Sequence, residues 1–161
     1  MLKLITGVIF LLFTGLAHSD DVIRRTANNG QLVMEDIPPI PEALSQTLNR
    51  YQSIRSARFS DWSSDSKSIF VKTRFGPVDQ LHRVDKPGGA RYQLTFNEEP
   101  VGEVSGQPNG RFLAMTRDKG GDEFDQVFLL NPDNGQERII SDGKALNNRL
   151  AWDRNGHIIA Y

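Results

Sequence analysis

The chain contains no cysteine. Disulfide frameworks, zinc fingers and thiol nucleophiles are therefore excluded. It also lacks an excess of charge of either sign. Nineteen Lys and Arg stand against 20 Asp and Glu, for a net charge of -1, and the isoelectric point is near 6.3. Nucleic-acid binding calls for a basic face or stripe, which this balance does not supply. No G-x-S-x-G nucleophile turn is present. Gly102-Glu103-Val104-Ser105-Gly106 carries its serine one position too late, within a Gly- and Pro-rich stretch. Hydrophobic residues make up 38% of the chain and charged ones 24%. A packed core is affordable on that composition, but not a large one.

What is present begins with a leader. Met1-Leu2-Lys3 is a short positive start, residues 4–16 are mostly apolar, and Ala17-His18-Ser19 places small residues before Asp20. That order is a secretory signal peptide with a small-x-small cleavage site. The alternative, a retained anchor, suffers from length, because a spanning helix needs roughly 20 apolar residues. The expected organisation is a signal peptide over residues 1–19, an N-terminal extension over 20–52 and an incomplete β-propeller domain over 53–161. The expected location is the periplasm or the exterior, with no stable membrane span after cleavage.

Residues 20–30 read as a loose polar tail. Gln31-Leu32-Val33-Met34-Glu35-Asp36 is a short strand candidate. Ile37-Pro38-Pro39-Ile40-Pro41 is a rigid connector, since proline fixes φ and lacks the N–H. Pro41 and Glu42 suit a helix start, and Leu44, Leu48 and Tyr51 share one helical face. Beyond residue 53 the pattern changes to short β-rich runs separated by Gly, Pro, Asn and Asp. Strands are expected at residues 68–73, 80–84, 91–95, 111–115, 126–130, 137–141 and 157–161. Pro87-Gly88-Gly89 and Asp133-Asn134-Gly135 are tight turns between paired strands.

An internal repeat decides the architecture. Shifted by 46 residues, Gln80-Leu81-His82-Arg83-Val84-Asp85 falls on Gln126-Val127-Phe128-Leu129-Leu130-Asn131, Gly89 on Gly135, and Thr95 on Ser141. A second series matches Asp61-Trp62-Ser63-Ser64 to Ala151-Trp152-Asp153-Arg154, 90 residues on, with Gln107-Pro108-Asn109-Gly110 between them. A unit of that length fits a four-stranded propeller blade. The predicted fold is all-β. It is a partial β-propeller of about two four-stranded antiparallel blades plus the start of a third, preceded by a signal peptide and one short helix. Because a closed ring takes about 4–8 blades, the repeat predicts the N-terminal portion of a longer protein.

Several words of the sequence, in their order and spacing, resemble the start of an exported serine peptidase of the prolyl oligopeptidase (S9) family. They are Ile37-Pro38-Pro39-Ile40-Pro41, Leu48-Asn49-Arg50-Tyr51-Gln52 and Arg55-Ser56-Ala57-Arg58-Phe59-Ser60-Asp61-Trp62, then Pro87-Gly88-Gly89-Ala90-Arg91 and Gly120-Gly121-Asp122-Glu123-Phe124. The resemblance implies a propeller that gates peptide substrates from a C-terminal α/β-hydrolase domain carrying a Ser-Asp-His triad. No triad residue can be carried over, so the chain is expected to be inactive alone. The alternative is a TolB-like periplasmic propeller serving as a non-enzymatic interaction scaffold. Nothing in the pattern implies a cofactor or metal.

Candidate chemistry is sparse. Residues 118–125 form the densest acidic stretch, and their spacing is not that of a calcium loop. Asp122 and Glu123 are the candidates for contact with a substrate or an adjoining domain, since loops on rigid scaffolds carry binding. His82 and His157 read as structural strand residues, and His18 lies in the leader. Trp62 and Trp152 are expected to pack between blades. Arg74, Arg83, Arg91 and Arg117 are expected in surface ion pairs of small weight.

Overall fold

The computed structural model describes residues 22–161; the expected signal peptide lies outside them. Among the described residues twelve strands form four antiparallel sheets, accompanied by one α-helix. The first is a hairpin of β1 (Arg24–Ala27) and β2 (Leu32–Glu35). The segment read as a loose tail is thus ordered. Asn28, Asn29 and Gly30 all take positive φ at its tip, a conformation that Asn and Gly adopt most readily. The Asp36 carboxylate accepts from the Ile23 N–H at 2.9 Å and closes the open end.

Helix α1 (Glu42–Gln52) follows the prolines as expected. Glu42 sits in the first turn and Arg50 in the last, each complementing the helix dipole. None of its residues is buried, so its Leu44, Leu48 and Tyr51 face is open.

The rest is a face-to-face stack of sheets. Sheet one runs β3 (Ala57–Trp62), β4 (Ile69–Thr73), β5 (Gln80–Val84) and β6 (Tyr92–Gln93) in sequential order. Sheet two repeats that order with β7 (Val104–Gly106), β8 (Leu113–Arg117), β9 (Gln126–Leu130) and β10 (Glu137–Ile139). A third hairpin, β11 (Ala151–Trp152) with β12 (Ile159–Ala160), begins the order again.

Alternation along the strands gives each sheet two working faces. Phe70 and Leu81 of sheet one meet Leu113, Met115 and Leu130 of sheet two, with Val101 from the connection between them. The opposite face of sheet two, through Ala114 and Val127, packs against Trp152 and Ile159 of the third hairpin. These two apolar seams hold the stack, at about 25 cal/mol for each Å² withdrawn from water.

The 46-residue repeat has a concrete physical counterpart at the end of each large sheet. The Gln80 carboxamide donates to the carbonyls of Asn97 and Glu99, and its oxygen accepts from the Thr95 hydroxyl at 2.6 Å and from Asn97 N. The Thr95 oxygen in turn accepts the Leu81 N–H at 2.9 Å. In sheet two Gln126 donates to Ala145 O and accepts from the Ser141 hydroxyl at 2.7 Å and from Gly143 N. Ser141 accepts the Val127 N–H at 3.0 Å. Each glutamine–hydroxyl latch ties the chain leaving the fourth strand back to the start of the third.

Three equivalent turns mark the other end. Ser66 N donates to Ser63 O, Gly110 N to Gln107 O and Gly156 N to Asp153 O. Of the two tryptophans expected to pack between sheets, one does so and one does not. Trp152 packs on sheet two and donates from Nε1 to Ser105 O at 3.3 Å. Trp62 is 56% exposed, because no sheet covers that side of sheet one among the described residues.

Candidate functional site

The acidic loop predicted to carry function joins β8 to β9. It rims an open groove of about 630 Å³. The opposite rim is the connection from sheet one to sheet two, through Phe96, Asn97, Glu98 and Glu99, and Asn29 of the N-terminal hairpin reaches the same space.

Strand alternation aims Arg117 into this region. It continues the inward series Leu113, Met115, Arg117 at the end of β8. Its guanidinium lies 4.3 Å over the Phe128 ring and 3.1 Å from Glu137, with Glu99 at 3.9 Å. Glu99 also accepts the Gly120 N–H at 2.8 Å, and Asn97 donates to Glu137 at 3.2 Å. Arg117 is therefore a part-buried tie between the two sheets, and not the surface ion pair expected. Arg91 also departs from that expectation, donating to the buried Thr73 hydroxyl at 3.0 Å. Arg83 does form a surface pair, with Asp85 at 2.9 Å.

Asp122 is half-buried, and its carboxylate accepts from the backbone N–H groups of Lys119 and Phe124. Its first task is to shape the loop. Glu123 is exposed in a left-handed conformation, φ 62°, and does not line the groove. The two candidates are adjacent in sequence but are not brought to one point. Asp125 lies deeper. Burial raises its carboxyl above the usual carboxylate range, with Asp118 and Asp122 adding repulsion, while a hydrogen bond from Thr116 works against the shift.

The hairpin tip meets this loop closely. A Cβ placed on Gly120 would lie 2.9 Å from Asn29 Nδ2 and 3.1 Å from Asn28 O. Gly120 is also at φ +67°. Both facts require glycine there. The contribution of Asn28 and Asn29 escaped sequence reasoning, although Asn28-Asn29-Gly30 between two short apolar runs is itself a hairpin signal.

The groove offers carboxylates, one tied guanidinium and exposed aromatic rings from Phe96 and Phe124. It offers no nucleophile with a base. His82 is buried on the far face of sheet one, its Nδ1 3.0 Å from Gln80 O. Among the described residues no serine hydroxyl bonds a histidine, and no three His, Asp or Glu side chains converge to hold a metal.

Neither a family model nor a curated relative matches the chain.

Proposed function

We propose that this chain is a propeller module of an exported prolyl oligopeptidase-like (S9) serine peptidase, which restricts peptide access to a hydrolase domain and has no catalytic activity of its own. One observation carries the reading. Two four-stranded sheets of identical strand order stack face to face, each closed by the same glutamine–hydroxyl latch 46 residues apart, and a third repeat begins on the free face of the second. Blades of a propeller are built and packed in that manner. The resemblance of residues 37–62 and 120–124 to that family supplies the peptidase part of the reading.

Two measurements test it. Coding sequence on the 3′ side of the Tyr161 codon should encode further repeats and then a G-x-S-x-G turn ahead of Asp and His. Repeats followed by a stop would favour the scaffold function instead. The purified chain should leave a peptidyl chromogenic substrate intact, and hydrolysis inhibited by a serine-directed fluorophosphonate would overturn the proposal.

A further inference from the structure

His82 is a buried titratable side chain that neither the groove nor the apolar seams employ. It lies on β5, 1% exposed, with Val71 of β4 and Gln93 of β6 as its register neighbours. Its Nδ1–H donates to Gln80 O at 3.0 Å, which leaves the ring's lone pair on Nε2. Nε2 is shut off from solvent and has no hydrogen-bond partner among the described residues. A proton added there brings charge into a site that holds no acceptor for it.

The surrounding side chains supply no compensation. The Phe75 ring lies 5.2 Å from the His82 ring between centres, and the Arg55 guanidinium stands 5.3 Å over Phe75. The charge that acts on His82 is that of Arg91, which has the sign of a protonated imidazole. Arg91 is itself a tie. It donates to the Thr73 hydroxyl at 3.0 Å and to Arg55 O at 3.4 Å, and Thr73 donates to Ser56 O at 2.7 Å. These bonds clasp Arg55 and Ser56 to the end of sheet one. Those two residues join helix α1, no residue of which is buried, to the first residue of β3. The extension meets the sheets again at the hairpin tip, beside Gly120. His82 thus lies beside one of its two anchorages.

We propose that His82 is an acid-operated release for the N-terminal extension: charging its ring drives Phe75 and the Arg55–Ser56 backbone off sheet one. The proposal goes beyond the peptidase reading and does not depend on it, since every residue it needs lies between Arg55 and Gln93. Lifting the clasp admits water to Nε2 and separates the imidazolium from Arg91, so the charged ring favours the open form. Burial holds the folded ring below its ordinary 6.5, with Arg91 adding repulsion and the bond to Gln80 working against the shift. The open form therefore binds the proton more tightly, and opening is promoted as pH falls.

Hydrogen exchange of the whole chain, followed by mass spectrometry, tests this. Protection factors are compared, so that the intrinsic pH dependence of exchange cancels. Between pH 8 and pH 5 protection over residues 53–59 and 73–76 should fall, while protection over β9 should hold. With the open ring titrating near 6.5, the fall at pH 5 has a ceiling of about thirtyfold. His82→Gln and His82→Phe, neither able to take up a proton, should flatten the profile whatever their protection at pH 8. Replacing the exposed His157 by Gln should leave it intact. A flat wild-type profile, a slope that survives both His82 substitutions, or an equal loss over β9 would each overturn the proposal. None of these outcomes bears on the coding-sequence or peptidase tests.

Discussion

Replacing Thr95 by Val tests whether the glutamine–hydroxyl latch holds the rim of sheet one. The side chain keeps its shape and loses its hydroxyl. Thr95 is 1% exposed, and its oxygen accepts the Leu81 N–H and donates to Gln80 Oε1. After substitution Gln80 Oε1 keeps the Asn97 N–H at 3.2 Å. The Leu81 N–H keeps nothing in a buried site. An orphaned buried donor costs about 1–3 kcal/mol, and the lost bond to Gln80 about 1 more, partly offset by burying a methyl group. The net expectation is about 2 kcal/mol, or a fall of about 1 M in the urea midpoint at a slope of about 2 kcal/mol/M. Amide hydrogen exchange gives the sharper reading. Exchange at Leu81 should accelerate about thirtyfold, since each 1.4 kcal/mol is about tenfold, while Val127, held by the separate Ser141 latch, serves as the internal reference. Unchanged Leu81 exchange together with an unmoved urea midpoint would refute the argument.

Other outcomes are expected from the same structure. Ser141→Ala should cost less than Thr95→Val, about 1 kcal/mol by urea denaturation, because Ser141 is only half-buried and water can take its place. Gly156→Ala should lower thermal stability severely, by roughly 2 kcal/mol or more, since φ is +73° and the new Cβ would strike Pro108 O at 2.1 Å. Gly143→Ala has a similar φ and open space around it, and should cost only about 1 kcal/mol. Burial holds the His82 pKa below its ordinary 6.5, so the unfolded chain takes up its proton first. The His82 contribution is full above that value and is lost as pH falls through the folded-state value. Urea midpoints between pH 8 and pH 5 should fall less steeply in His82→Gln than in the wild type.

The strands read with most of their length are those buried on both faces, although the largely exposed β2, β6, β10 and β12 were also read as strands. β4, β5 and β9 carry runs such as Ile69-Phe70-Val71 and Val127-Phe128-Leu129-Leu130, and packing demands those residues there. β3, β7 and β11 were not read as strands. They are short or polar, and pairing rather than composition makes them: Asp61 spends its carboxylate on Gly106 N at 2.7 Å, which no propensity announces. β2 was read as a strand, but its partner β1 was missed because Arg24 and Arg25 put charge on both of its faces and resemble a tail. The acidic loop was found, but its use was not. Asp122 shapes the loop, and the groove is organised by Arg117, whose place was implicit in the Leu113, Met115, Arg117 alternation. Trp62 was expected in a core, as Trp152 was, because both recur at one repeat position; a repeat guarantees equivalent geometry, not an equivalent neighbour.

The latches also bear on the order in which the molecule is made. Every group that secures the rim of sheet one lies between Gln80 and Glu99, close together along the chain. Contacts so local form early, at small loop-closure cost. During synthesis all of these groups precede the first residue of β8, whereas the inner seam of sheet one waits for Leu113 and Met115. The latch of each unit can therefore close while the apolar face of that unit is still bare, and translation speed across the next unit sets how long that face waits for its cover.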